Sequence, residues 1–205
     1  VRSTGSFNGI DLAFGAKVYY VQDTFYKVEV RAQQNVLREI ITEVSNNRLL
    51  IKLPLGVTLF SHSAINVYIT APAVSNFNVS GTGTIEAMDN ITVNNTDINV
   101  SGSGAVKIAD LVTNDIDVKI SGSGLVEIRD GNTTGSSVNI SGSGTVDILG
   151  IMAKTLTAYT SGSGDAKVNV KDKIEAHISG SGKIYYKGNP VIDAHISGSG
   201  KVIHL

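Results

Sequence analysis

The feature that most constrains the fold is a short segment, Ser-Gly-Ser-Gly, which recurs through the chain and which we call a corner. Corners begin at Ser101, Ser121, Ser141, Ser161, Ser179 and Ser197, and a Ser-Gly-Thr-Gly variant begins at Ser80. Successive corners start 21, 20, 20, 20, 18 and 18 residues apart. A propeller blade needs about 40 residues, so this spacing favours a solenoid of stacked coils.

Apolar and polar residues alternate on both sides of each corner, which is typical of strands with one buried face. The apolar pairs before the corners are Phe77/Val79, Ile98/Val100, Val118/Ile120, Val138/Ile140, Ala158/Thr160, Ala176/Ile178 and Ala194/Ile196. The apolar pairs after them are Ile85/Ala87, Val106/Ile108, Val126/Ile128, Val146/Ile148, Ala166/Val168 and Ile184/Tyr186. We expect all of these side chains to point inward.

The repeat therefore predicts an all-β, single-stranded parallel β-helix of about seven coils. Equivalent residues would stack about 4.8 Å apart, and each strand would pair in register with the next coil. Glycine suits the corner because it accepts positive φ and close backbone approach. The repeats show no six-residue echo of a left-handed hexapeptide helix, and parallel crossovers are usually right-handed, so we favour a right-handed coil.

The amino-terminal third lacks the corner and has a different expected role. We interpret residues 1–75 as a β-rich cap layer that is continuous with coils formed by residues 76–205, all within one domain. Asn46-Asn47 is typical of a tight hairpin turn, and 34–38 can form one helical turn. A stack of coils leaves unpaired edges at its ends, which an atypical terminal layer can cover. The carboxyl end shows no such cap, so a second copy of the chain can cover it.

Composition excludes several classes of function. The chain has no cysteine, and its 17 basic and 18 acidic residues give a net charge of −1. Disulfides, thiolate metal sites and a basic surface for nucleic acid are therefore not expected. The chain contains no run of about 18 apolar residues, so no transmembrane helix is predicted. The sequence from Val1 lacks the basic and apolar regions of a signal peptide, so we expect that any export signal or lipid anchor lies outside these residues.

Two rows of outward residues contain the candidate site. Glu175, His177, Asp193 and His195 should form a two-by-two patch, with neighbours about 6.6 Å apart along a strand and about 4.8 Å apart across coils. These side chains can hold a divalent metal such as zinc. Internal repetition, EAHISGSGK followed by DAHISGSGK, explains the same pattern. We therefore assign neither a metal nor another cofactor.

Tyr159 lies in the same row as His177 and His195, which predicts a strip of stacked rings beside carboxylates. Such a strip can contact a sugar or a partner protein, and ordinary strand packing also explains it. Asp97 and Asp117 should stack as well, but these rows show no neighbouring arginine or histidine, so a glycosidase pair is poorly supported. No nucleophile elbow, zinc-protease motif or calcium repeat is present, and we predict that the chain is not an enzyme.

The chain resembles the putative auto-transporter adhesin, head GIN domain family, formerly a domain of unknown function that is frequent in Bacteroidetes. The resemblance rests on 7–10 (FNGI), 26–30 (YKVEV), 49–51 (LLI), 67–72 (VYITAP) and the corners. Asp11 follows Gly9-Ile10 where the family name indicates asparagine. The resemblance implies a parallel β-helix that is exported to the periplasm, outer membrane or cell surface, often as a lipoprotein, with an adhesin role. It implies no catalytic residues.

The leading hypothesis is an exported, adhesin-like binding protein that presents a rigid surface to a glycan or a surface protein. Two alternatives remain open. One is a polysaccharide-acting, pectinase-like enzyme on the same scaffold, and the other is a structural envelope protein.

Overall fold

The computed structural model describes residues 1–60 and 63–205, which contain eighteen strands and one helical turn. The elements are β1 (Gly9–Leu12), β2 (Lys17–Gln22), β3 (Lys27–Arg31), α1 (Gln34–Leu37), β4 (Ile41–Ser45), β5 (Arg48–Lys52), β6 (Asn66–Ala71), β7 (Asn76–Gly81), β8 (Thr84–Thr92), β9 (Asn95–Gly102), β10 (Ala105–Val112), β11 (Asp115–Gly122), β12 (Leu125–Ile128), β13 (Gly131–Gly142), β14 (Thr145–Gly162), β15 (Asp165–Gly180), β16 (Lys183–Lys187), β17 (Val191–Gly198) and β18 (Lys201–His204). No helix among these residues has the length and apolar character needed to cross a membrane.

The corners join strands that stack in parallel with their equivalents in the neighbouring turns. Val100 pairs with Ile120, which pairs with Ile140, and the corner serines that follow them pair in the same register. The predicted all-β parallel solenoid is therefore confirmed. It has about six turns where about seven were predicted, because seven corners bound six complete turns.

The predicted inward residues form one continuous apolar core, except for Ala194 and Ile196, which were predicted to point inward but are exposed because, among the described residues, no further turn packs on β17. Ile120 and Ile140, before their corners, and Val126, after its corner, are each at most 2% exposed. A third side of the coil adds further buried residues, among them Leu111 and Ile151. Each of these side chains packs under its equivalents in adjacent turns, so apolar burial accumulates turn by turn.

Glycine at the second position of the corner is required by both conformation and space. At Gly142 the backbone has φ of 119°. A Cβ added there would lie 2.5 Å from the carbonyl oxygen of Gly122 in the preceding turn. That oxygen also accepts a hydrogen bond from the Ser143 amide at 2.9 Å. The corners therefore pack backbone against backbone, which leaves no room for a side chain.

The amino-terminal strands are layered in an order that differs from their order in the chain. β1 pairs in parallel with both β5 and β7, and β2 pairs in parallel with both β6 and β8. β1 and β2 therefore form a turn that lies between β5 and β6 on one side and β7 and β8 on the other. Outside this stack, β3 pairs antiparallel with β6, and β4 pairs antiparallel with β5. The division of the chain at residue 75 into cap and coils remains a prediction.

Two local predictions in this part of the chain are confirmed. Asn46 and Asn47 have φ of 50° and 60° and connect β4 to β5 as a hairpin. The predicted helical turn is present as α1. Asparagine tolerates positive φ better than other residues with a Cβ, which explains how these two residues can form the turn.

A partly buried ion pair joins the first turn to the layer outside it. The Arg48 guanidinium binds the Asp11 carboxylate through two nitrogens, with Nε 2.8 Å from Oδ2. The Arg48 side chain crosses Gly9, where an added Cβ would lie 3.1 Å from its Cγ. In the segment Gly9-Ile10-Asp11, the glycine thus leaves room for the Arg48 side chain, Ile10 enters the core, and Asp11 supplies the carboxylate that Arg48 binds.

Replacing Arg48 with methionine should destabilise the fold, since Asp11 would then keep a partly buried carboxylate without its partner. We expect the free energy of unfolding to fall by about 2 kcal/mol. Denaturant titration followed by circular dichroism measures this loss. Replacing the exposed Lys119 with methionine is the control, and an equal loss in both variants would contradict the role given to the Arg48–Asp11 pair.

Candidate functional site

The three predicted ring residues form one stack on the outside of the solenoid. The strands β14, β15 and β17 place Tyr159, His177 and His195 in register. The ring centroids of Tyr159 and His177 are 4.7 Å apart with planes 7° from parallel. Those of His177 and His195 are 5.0 Å apart with planes at 15°. We call these three residues the ring stack.

The predicted carboxylates lie beside the ring stack, each two residues before a histidine. Glu175 Oε1 is 3.2 Å from Nε2 of His177, and Asp193 Oδ1 is 3.3 Å from Nε2 of His195. Lys173 also approaches Glu175, with Nζ 3.5 Å from Oε2. The hydrogen bond from His177, and then the charge of Lys173, lower the pKa of Glu175. This carboxylate is therefore held in its ionised form.

The structure brings Glu175, His177, Asp193 and His195 together as the sequence predicts. Each imidazole contacts the carboxylate of its own strand, and the two imidazoles face each other. Among the residues that the structure describes, no group of three or more histidine, aspartate or glutamate side chains is arranged to hold a metal ion. The chemistry that this arrangement offers is hydrogen bonding and ring contact.

Stacking decides which parts of the rings a ligand can reach. A gap of 4.7 or 5.0 Å between nearly parallel rings leaves no space for a third ring. Sugar contact with ring faces is therefore restricted to the two ends of the stack, at Tyr159 and at His195. Along its length the stack presents ring edges, and Tyr159 remains 45% exposed.

A groove of about 650 Å³ runs beside the ring stack across six strands, and its exposed surface is mainly apolar. It is lined by the row that continues the stack through Asn139, Lys119 and Asn99, by the ladder of corner serines from Ser101 to Ser197, and by the core residues that lie between these two rows in the sequence. Five strand spacings of 4.8 Å make the groove about 24 Å long. We call this feature the serine groove. The repeat aligns its lining residues from turn to turn, but the sequence did not predict its concave shape.

A second, more polar hollow of about 480 Å³ lies one row away and includes Asp97 and Asp117. These two residues stack in register as predicted. Lys119 forms an ion pair with Asp117. The pKa of Arg48 is raised, chiefly by its hydrogen bond to Asp11 and to a smaller extent by the charges of Asp11 and Asp97. The sequence pattern did not reveal this arginine. Arg48 pairs with Gly9, Gly9 pairs with Asn76, and Asn76 pairs with Asp97. The first two pairings exist only because the amino-terminal strands are layered out of chain order.

Comparison with known proteins identifies the family. The model of the family described as "Putative auto-transporter adhesin, head GIN domain" matches residues 6–190. The chain belongs to this family. The head GIN domain match covers the amino-terminal layers and six of the seven corners, which confirms the resemblance noted in the sequence. No curated protein gave a significant match.

Solved structures share the head GIN domain fold over nearly the whole chain. A putative adhesin from Bacteroides fragilis is 25% identical, with a TM-score of 0.93 over 98% of this chain and 94% of that one. A putative adhesin from Parabacteroides distasonis is 26% identical, with a TM-score of 0.77 over 100% and 94%. A putative lipid binding protein from the same species is 23% identical, with a TM-score of 0.78 over 100% and 94%, and shows the shared fold.

Proposed function

We propose that this head GIN domain chain is a non-enzymatic binding protein of the cell exterior, and that it holds an extended surface glycan in the serine groove. The observation that carries this proposal is the continuous groove across six strands with the ring stack at one end. A rigid solenoid keeps these contacts in place before the ligand arrives, which lowers the entropic cost of binding.

The chemistry of the groove suits a glycan chain. The amides of Asn99 and Asn139 and the corner hydroxyls can donate and accept hydrogen bonds, while ring edges and serine methylenes contact the carbon skeleton of a sugar. The length of about 24 Å fits several consecutive sugar units, each of which contacts a different turn of the solenoid. Individually weak contacts of this kind add up along an elongated ligand.

The family description and the names of the two adhesins at 25% and 26% identity support an adhesin-like role. Adhesion requires export, so we place the chain in the periplasm, at the outer membrane or on the cell surface. A lipid anchor outside the 205 residues would serve the same purpose.

The Glu175 carboxylate beside the ring stack supports binding over hydrolysis. A glycosidase needs one carboxylic acid whose pKa is raised so that it can donate a proton. The pKa of Glu175 is shifted in the opposite direction by His177 and Lys173. Among the tyrosines that the structure describes, only Tyr20 has a pKa raised to about 12, because it is buried. Its hydroxyl lies between Ala71 and Val74, away from the groove, so it supplies no acid there.

A glycan array followed by calorimetry tests the proposal. We expect bound glycans to show no new reducing ends, and the Tyr159→Ala variant to bind about tenfold more weakly. Tyr185→Ala is the matched control, because Tyr185 lies on the outer face after the corner. Turnover that is lost in Asp193→Asn would instead indicate the polysaccharide-acting enzyme. Absence of any glycan binding would contradict the proposal and favour a structural envelope role.

A further inference from the structure

The last turn of the solenoid exposes side chains that every earlier turn buries. In β17, Ile196 is 44% exposed, whereas its equivalent Ile178 in the preceding turn is 2% exposed. Ile192 and Ala194 are exposed in the same way. Among the described strands, β17 pairs with β15 on one side only. Within the described residues its other edge is therefore an unpaired, apolar sheet edge.

The backbone groups at this edge can be assigned from the register. The Ser199 amide donates to the Gly180 carbonyl of the preceding turn at 2.9 Å. Asp97 occupies the position equivalent to Asp193, and its amide likewise donates to the preceding turn, to the Ser75 carbonyl at 2.8 Å. Backbone groups of successive residues in a strand point to opposite sides. The N–H and C=O groups of Ile192, Ala194 and Ile196 consequently point to the free edge.

The sequence of this edge is symmetric about its centre. Residues 192–196 read Ile-Asp-Ala-His-Ile, so inversion about Ala194 exchanges isoleucine with isoleucine and aspartate with histidine. A strand with this pattern is complementary to its own antiparallel copy, as a two-fold interface requires.

We propose that two copies of the chain associate end to end through β17, paired antiparallel and centred on Ala194. Ile192 of each copy then lies opposite Ile196 of the other, and Ala194 lies opposite Ala194. These are the positions whose backbone groups face the edge, so all three pairs are hydrogen-bonded pairs. The partner is a second copy of this chain, and this inference does not depend on the glycan proposal.

Charge complementarity supports this register. Asp193 lies opposite His195 of the second copy in a pair without backbone hydrogen bonds, where facing side chains are closest. Each imidazole then has one carboxylate on its own strand and one across the interface. In the same pairing the apolar face of the sheet continues from one copy into the other, which covers the side chains that β17 leaves exposed.

Light scattering after size-exclusion chromatography and engineered cysteines test the proposal. We expect twice the monomer mass of 21.5 kDa at micromolar concentration. The chain has no cysteine, so an Ala194→Cys variant should form a single disulfide-linked dimer under mild oxidation. Opposed residues in a hydrogen-bonded pair lie about 5.5 Å apart between Cα atoms, within the range for a disulfide.

The matched control is Ile192→Cys, which should not cross-link, since its two copies would lie about 13 Å apart along the paired strands. The double variant Ile192→Cys/Ile196→Cys should cross-link. His195→Asp should weaken the dimer about tenfold, and Asp193→His in the same chain should restore it. A monomer, a larger assembly, or cross-linking at residue 192 alone would overturn the proposal.

Discussion

A chain that lacks residues 121–140 is expected to fold into the same solenoid with one turn fewer. The deletion joins Ile120 to Ser141 and restores the 20-residue spacing between neighbouring corners. Residues 105 and 115 would then stack on 145 and 155, to which they are already related through one intervening turn. Solenoid stability is approximately a sum over turns, so we expect a lower unfolding temperature and an intact fold.

The control removes one more residue and should abolish folding. Deletion of residues 120–140 places Lys119 directly before the corner at Ser141. Lys119, Asp117 and Asp115 would then take the inward positions, while Val118 and Ile116 would face solvent. Burying unpaired charges costs several kcal/mol for each group, which exceeds what one domain can lose.

Far-UV circular dichroism and thermal unfolding of both variants measure the difference. The variant without residues 121–140 should give a cooperative transition, whereas the variant without 120–140 should be unfolded or insoluble. Similar behaviour of the two chains would show that register is not set by inward and outward alternation.

Gly142→Ala is a point substitution in a corner that we expect to cost a large part of the stability. The residue would have to keep φ of 119°, and its Cβ would lie 2.5 Å from the oxygen of Gly122. Backbone strain of this kind costs about 1–3 kcal/mol, and the overlap with a backbone atom cannot be relieved by a side-chain rotation. We expect a loss of about 4 kcal/mol in the free energy of unfolding.

Gly56→Ala separates the two causes. Gly56 also has positive φ, 81°, but an added Cβ would find no atom within 4 Å. This variant should lose only about 1 kcal/mol, the cost of the conformation alone. Urea titration of both variants gives the comparison, and an equal loss would contradict the close backbone stacking of the corners.

Much of the solenoid could be predicted from residue types and spacing. Val100, Ile120 and Ile140 precede corners 20 residues apart, and period-2 alternation leaves only one register in which all three point inward. The hairpin at Asn46-Asn47 was predictable for a local reason, because two asparagines tolerate the left-handed conformation. In both cases the information lies within a few residues or in an exact repeat.

The candidate site was predictable in part. Because Tyr159, His177 and His195 occupy the same position relative to their corners, their alignment follows from the repeat. The ring orientations depend on side-chain rotamers. These orientations cover the ring faces inside the stack and leave the ring edges accessible. The serine groove depends on how the corners bend. Neither property is encoded in spacing.

The sequence by itself determined the coil, its inward ladders and the alignment of the ring residues, because these follow from a repeated pattern with a fixed period. Only the tertiary structure decided that β1 and β2 lie between β5 and β6 on one side and β7 and β8 on the other, that Arg48 reaches Asp11, and that a groove forms beside the ring stack. These features join segments without a shared repeat, so their contacts depend on long-range packing and not on local residue preference.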